Sequence, residues 1–359
     1  MTIYSPVQNS NIKLKQDLPD PLCYLYADEY FYGLVGNVAE EAFKAGDWVN
    51  KINNNGINSF NNFCTNKKII KILAIGDSWF HYPGFGKDGH LLHGGDGNFL
   101  DCLRDRRTVG IYRVGLNGAE AKDLFDEEHR NFYDGLLKKG NFDLVLISLG
   151  GNDLAAENVA KYIKNKDIDT KSLENIYQEI LKQYEWFLTL LSDYKIPVLG
   201  HCYDDATYDN GGANLEMDFL GIDLSEIIHN NKNWIVRHLE HEGIKDKHKQ
   251  ADIVNTVLEG FKKNVLDKLR LQEQFNFSYV DTYDCLSKYA QGQLPRIPSI
   301  PVTQDQTPKR FWLNEIHPTR DGFRILENYL YDAIAKTLNL PDLGITNLKS
   351  VAGNLVTAG

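Results

Sequence analysis

Four short segments of the chain carry residue types that acyl transfer requires. They are Gly76-Asp77-Ser78-Trp79, Val114-Gly115-Leu116-Asn117-Gly118, Leu149-Gly150-Gly151-Asn152-Asp153 and, far downstream, Trp312-Leu313-Asn314-Glu315-Ile316-His317-Pro318-Thr319. A serine hydroxyl such as that of Ser78 is a poor nucleophile until an imidazole takes its proton. His317 offers that base, because an unperturbed imidazole titrates near neutrality. The tetrahedral intermediate carries an oxyanion and needs fixed donors aimed at it. The backbone N–H groups of Ser78 and Gly118 and the side-chain amide of Asn152 form a suitable set. Glycine allows close backbone approach to a substrate, and asparagine donates without bringing a charge.

Such residues must be delivered to one place. From Lys67 onward, short runs rich in Ile, Val and Leu alternate with longer amphipathic segments, a pattern of βαβ units around a parallel sheet. Strands are expected at Ile69–Ile75, Val109–Val114, Leu144–Ser148, Pro197–Cys202 and Phe277–Val280. Unbroken apolar runs of this kind suit a sheet covered on both faces. Helices are expected at Leu173–Leu191, Ile253–Leu271 and Pro318–Leu338, the last with a proline in its first turn. In an open parallel sheet, reactive residues gather where strands hand over to loops at their carboxyl edge. Three of the four segments follow an expected strand directly, and the fourth follows the fifth strand at a distance.

In that order and context the four segments resemble the blocks of the SGNH (GDSL-like) hydrolase superfamily, over roughly residues 67–338. The resemblance implies a three-layer α/β/α sandwich around a five-stranded parallel sheet, flavodoxin-like in layout. It also implies Ser78 as nucleophile, His317 as base, and Ser78, Gly118 and Asn152 as the oxyanion hole. The family usually has Asp three residues before the histidine, whereas this chain has Asn314 there, with Glu315 one residue nearer. The Trp-x-Asn-Glu-x-His-Pro-Thr run looks like that of a bacterial subgroup. Asn314 is the expected orienter of His317, through its carbonyl oxygen; Glu315 and a backbone carbonyl are the alternatives. Asp77, Trp79, Asp153, Tyr203 and Asp204 stand next to these blocks or at the end of the fourth strand, and are expected to line the substrate site.

The rest of the chain divides around this domain. Residues 1–66 read as an N-terminal helical extension, patterned over Tyr26–Ile52, followed by an Asn-rich linker. The hydrolase-like domain takes 67–340. Within it, 205–248 is too long for an ordinary βα connection and reads as a cap over the site. Residues 341–359 read as a flexible tail.

Composition bounds the partners. A net charge of −10 disfavours nucleic acid or an acidic membrane surface. No segment approaches the about 18 uninterrupted apolar residues of a membrane span, so no integral membrane association is expected. The five cysteines are scattered, with no C-x-x-C pair, which indicates neither a zinc site nor a disulfide framework. His90, His93 and Asp96 sit among glycines and read as loop residues, while His238, His241 and His248 read as a solvated helix face. No Walker loop or dinucleotide fingerprint occurs, so no cofactor and no metal are expected. The first 25 residues lack an apolar signal block, which points to the cytoplasm, with Sec-independent export still open. The expected substrate is a small-molecule, lipid or glycan ester, cleaved by an esterase or lipase-like acyl hydrolase. Removal of O-acetyl groups from carbohydrate or cell-wall polymer is the alternative activity. A non-catalytic binding protein on the same fold is the alternative of another class.

Overall fold

A computed structural model describes residues 23–25, 61, 70–81, 98–104, 109–115, 118–204, 218–219, 222–223, 235–300, 311–312, 315–340 and 355–356. Its frame is one sheet of seven strands: β1 (Cys23–Leu25), β2 (Ile70–Gly76), β3 (Val109–Gly115), β4 (Leu144–Ser148), β5 (Val198–His201), β6 (Phe277–Val280) and β7 (Leu355–Val356). The spatial order is β1-β3-β2-β4-β5-β6-β7, parallel throughout except for the β6–β7 pair. The five strands expected from apolar runs are the five central ones. The two short edge strands come from the segments read as extension and tail, where three- and two-residue pairings leave no periodic signal. The helical pattern over Tyr26–Ile52 lies outside the described residues, as do His90, His93 and Asp96.

The central order β3-β2-β4-β5-β6 reverses direction between β2 and β4. At such a switch point the connections after neighbouring strands part to opposite faces and leave a crevice at the carboxyl edge. Register brings three chain exits level there, since Gly76 pairs with both Gly115 and Ser148.

Helices cover the sheet because each buries one apolar stripe. The longest, α6 (Thr170–Ser192), is capped by Asp169, whose side chain accepts from Ser172 N, and buries Leu173, Ile176, Ile180, Tyr184, Phe187 and Leu191. Each such side chain contributes about 1.5–3 kcal/mol on leaving water. Tyr184 also donates to the Leu149 carbonyl at 2.8 Å, tying α6 to the exit of β4. The helix expected from Ile253 begins earlier, as α8 (Lys247–Phe261), because Asp246 caps it through Lys249 N. A π-type turn over Lys262–Leu266 carries it on into Asp267–Arg270.

The last long helix, α9 (Arg320–Thr337), starts later than expected. Pro318 lies outside it, and Thr319 is the N-cap, its Oγ1 accepting from Gly322 N. Gly322 lets the helix start against the preceding loop, since a Cβ there would lie 2.4 Å from the Phe311 carbonyl oxygen. Of the expected cap, the described residues are an antiparallel pair, 218–219 with 222–223, and the stretch from 235, which holds α7 (Val236–His241). On α7 and at the start of α8, His241 and His248 are exposed and His238 half-buried. Among the described residues no helix is long and apolar enough to cross a membrane.

Candidate active site

After β2 the chain turns through Asp77 into a short helix, α1 (Ser78–His81). Asp77 holds this turn. Its N–H donates to the Ser148 carbonyl at 2.8 Å. Its Oδ1 accepts from Trp79 N and from Ser148 Oγ, both at 3.0 Å, and its Oδ2 accepts from the Tyr203 hydroxyl. Burial pushes its carboxyl up to about 6, against the pull of those donors.

Ser78 and His317 are 239 residues apart, yet Nε2 of His317 lies 2.7 Å from Ser78 Oγ. Both are buried, at 7% and 1% exposed. Burial drives the His317 imidazole down to about 3, so at neutral pH the resting ring is uncharged. Its loop is closed at the ends by Thr319 N donating to the Phe311 carbonyl at 2.7 Å and by a bridge between Trp312 and Pro318. Asn314 lies outside the described residues. Glu315 is buried, and its Oε2 accepts from the backbone N–H groups of Ile235, at 2.8 Å, and Val236, at 3.3 Å. That oxygen is committed to the start of α7.

Asn152 stands in the short helix α5 (Gly151–Leu154) that follows β4. Its Nδ2 donates to the Ala119 carbonyl at 2.9 Å, which places it beside Gly118. Gly118 has φ +79°, with open space where a Cβ would be. The turn into α5 is a glycine requirement twice over. Gly150 has φ +108° and packs on the Phe261 ring, and a Cβ on Gly151 would lie 2.7 Å from the Tyr203 ring. Asn158, which the sequence did not mark, is buried here and donates from Nδ2 to both the Asn152 carbonyl and Glu120 Oε1, each at 2.9 Å. Only the fold brings it to the site.

A cleft opens over Ser78. Asp77, Trp79, Tyr203 and Asp204 border it together with Asn152. Asp204 also fastens the helix that follows β6, Cys285–Ala290, its Oδ2 accepting from Leu286 N at 2.9 Å. Asp153 is the exception among the expected lining residues. Its side chain turns away from the cleft to accept from Ala121 N at 2.9 Å, and burial raises its carboxyl to about 7. The rest of the described lining is largely apolar, including Leu154, Tyr162, Ile235, Val254, Val257 and Leu258. The α8 members of this lining read as ordinary core in the sequence, since a helical stripe looks the same facing a cleft or a sheet. Of the aromatic residues after Ser78, Trp79 faces the cleft and Phe80 is core, while Tyr82 and Phe85 lie outside the described residues. His201 and Cys202, at the end of β5, are buried. Burial and the nearby Asp281 push the Cys202 thiol far above its ordinary range, which makes it no thiolate nucleophile. Among the described residues no cluster of three or more His, Cys, Asp or Glu is placed to hold a metal ion.

The family model described as GDSL-like Lipase/Acylhydrolase matches residues 72–330. Among curated proteins no match is found. Several solved structures are similar in fold. A lipase from a goat rumen metagenome is 16% identical, with a TM-score of 0.44, over 76% of this chain and 99% of its own. A carbohydrate acetylesterase family member from Sinorhizobium meliloti is 13% identical, with a TM-score of 0.40, over 76% of this chain and 100% of its own. The acetyl xylan esterase AlAXEase is 15% identical, with a TM-score of 0.38, over 74% and 100%.

Proposed function

Because the chain belongs to the GDSL-like lipase/acylhydrolase family, we propose that it hydrolyses carboxylic esters through an acyl-enzyme on Ser78. The observation that carries this reading is the 2.7 Å contact between His317 Nε2 and the Oγ of Ser78, a residue that lines the cleft. His317 Nε2 takes the hydroxyl proton as Oγ attacks the ester carbonyl. The oxyanion then accepts from the N–H groups of Ser78 and Gly118 and from the N–H of Asn152 that Ala119 leaves over. Collapse expels the alkoxide, which takes the proton back from His317. Water, activated by the same imidazole, releases the acid. The apolar side chains lining the cleft favour an acyl chain longer than acetyl, since each methylene buried there adds about 0.8 kcal/mol.

Turnover of p-nitrophenyl acetate, hexanoate and palmitate, by wild type and by Ser78→Ala, tests both parts. The Ser78→Ala protein should fold and lose several orders of magnitude in kcat, as other serine nucleophiles do. Wild-type turnover in that variant would remove Ser78 from the reaction. A preference for acetate over hexanoate would instead favour an O-deacetylase, and inactivity of the wild type on every ester and acetylated glycan would favour a binding protein.

A further inference from the structure

Trp79 follows the nucleophile and is 3% exposed. Its indole Nε1 donates to the Ile316 carbonyl at 2.9 Å, one residue before His317. Adjacent residues on one element are thus bonded to adjacent residues on another: Ser78 to His317, and Trp79 to Ile316. Elsewhere the loop is held at its ends, by Thr319 N on the Phe311 carbonyl and the bridge between Trp312 and Pro318, and at Glu315, which accepts from the Ile235 and Val236 N–H groups at the start of α7.

We propose that Trp79 is a positioning residue, a latch that sets the distance between the base and the nucleophile. This rests on the reading of His317 as base. The ring cannot swing away, because it is packed on several sides. It stacks on His201, with centroids 5.2 Å apart and planes at 19°, and meets Tyr203 at 5.0 Å and Phe323 at 5.5 Å edge to face. His201 is itself held, its Nδ1 lying 2.8 Å from the Cys202 carbonyl, and burial lowers its imidazole to about 4, so it enters the stack uncharged. A base that drifts by about 1 Å costs on the order of 10²-fold in rate, which gives the latch its importance.

Trp79→Phe keeps a ring in the stack and removes the donor. Its kcat for p-nitrophenyl acetate should fall roughly 10- to 100-fold, with KM within about threefold and a shifted acid limb in kcat/KM. The His317 ring ¹⁵N resonances should move in the same variant. Unchanged kcat and unchanged imidazole resonances, or a change confined to KM, would reduce Trp79 to a wall of the cleft and overturn the proposal. A second measurement needs neither turnover nor the variant. In wild type the Trp79 indole N–H should exchange with solvent at least about 100-fold slower than a free indole, and exchange at the free rate overturns the latch even if Trp79→Phe fails to fold. If wild type turns over no ester, the ester reading fails while the imidazole and indole resonances still decide on the latch.

Discussion

Two neighbouring residues, Asn314 and Glu315, compete for one role, that of holding the His317 imidazole. Glu315 has an employment of its own, because its Oε2 accepts the Ile235 and Val236 N–H groups at the start of α7. A glutamine keeps an oxygen that can accept both. Glu315→Gln should therefore retain kcat/KM within a few fold of wild type, its cost falling on stability instead, on the order of 1 kcal/mol. Asn314→Ala should lower kcat, whereas Asn314→Asp should keep or raise it, since a carboxylate orients the imidazole and also stabilises its charged form. Measuring kcat/KM for the three folded variants checks this order. A Glu315→Gln protein as inactive as Ser78→Ala would make the carboxylate the orienter instead.

At the scale of elements, the site depends on how closely α5 approaches β5. Gly151 lies under the Tyr203 ring, and Tyr203 in turn donates to Asp77 in the nucleophile's turn. Gly151→Ala must push either that ring or α5, and α5 carries Asn152. If Asn152 is the oxyanion donor proposed above, displacing it costs on the order of 10²–10³ in rate, so kcat for p-nitrophenyl acetate should drop toward that range while KM changes little. A Gly151→Ala protein with wild-type kcat would show that the wall yields without moving Asn152.

Over the whole molecule, the buried titratable groups pull stability in opposite directions with pH. The imidazoles of His317 and His201 are lowered to about 3 and about 4, so the folded state binds fewer protons, and stability falls as pH drops below their ordinary value. The carboxyls of Asp77 and Asp153 are raised to about 6 and about 7. Their contribution is fully present below the ordinary carboxylate value and is lost as pH rises through those figures. Asp153 offers the cleaner test, since it faces away from the cleft and an asparagine oxygen can still accept from Ala121 N. The Tm advantage of Asp153→Asn over wild type should be small near pH 4 and grow until about pH 8, where wild type must bury a charge. Thermal melts across that range check it, and a difference that does not vary with pH would contradict it.

The sequence by itself determined the central strands, because a run such as Leu144–Ser148 is stable only when both faces are covered. It also marked Ser78, Asn152 and His317, because each is a residue type that suits acyl transfer and stands beside glycines or a proline. It could not mark Asn158, Ile235 or the Val254–Leu258 stripe, whose residue types are ordinary and whose meaning is their neighbours. Nor could it tell Asp153 from Asp77, two aspartates in similar strand-end motifs, one turned to a helix start and the other binding the nucleophile's turn. Those decisions belong to tertiary structure for a physical reason. A side chain's direction at a strand end, and the charge state its burial imposes, depend on what packs against it from segments far away in the chain, as Tyr203 does on Asp77 and Ile316 on Trp79.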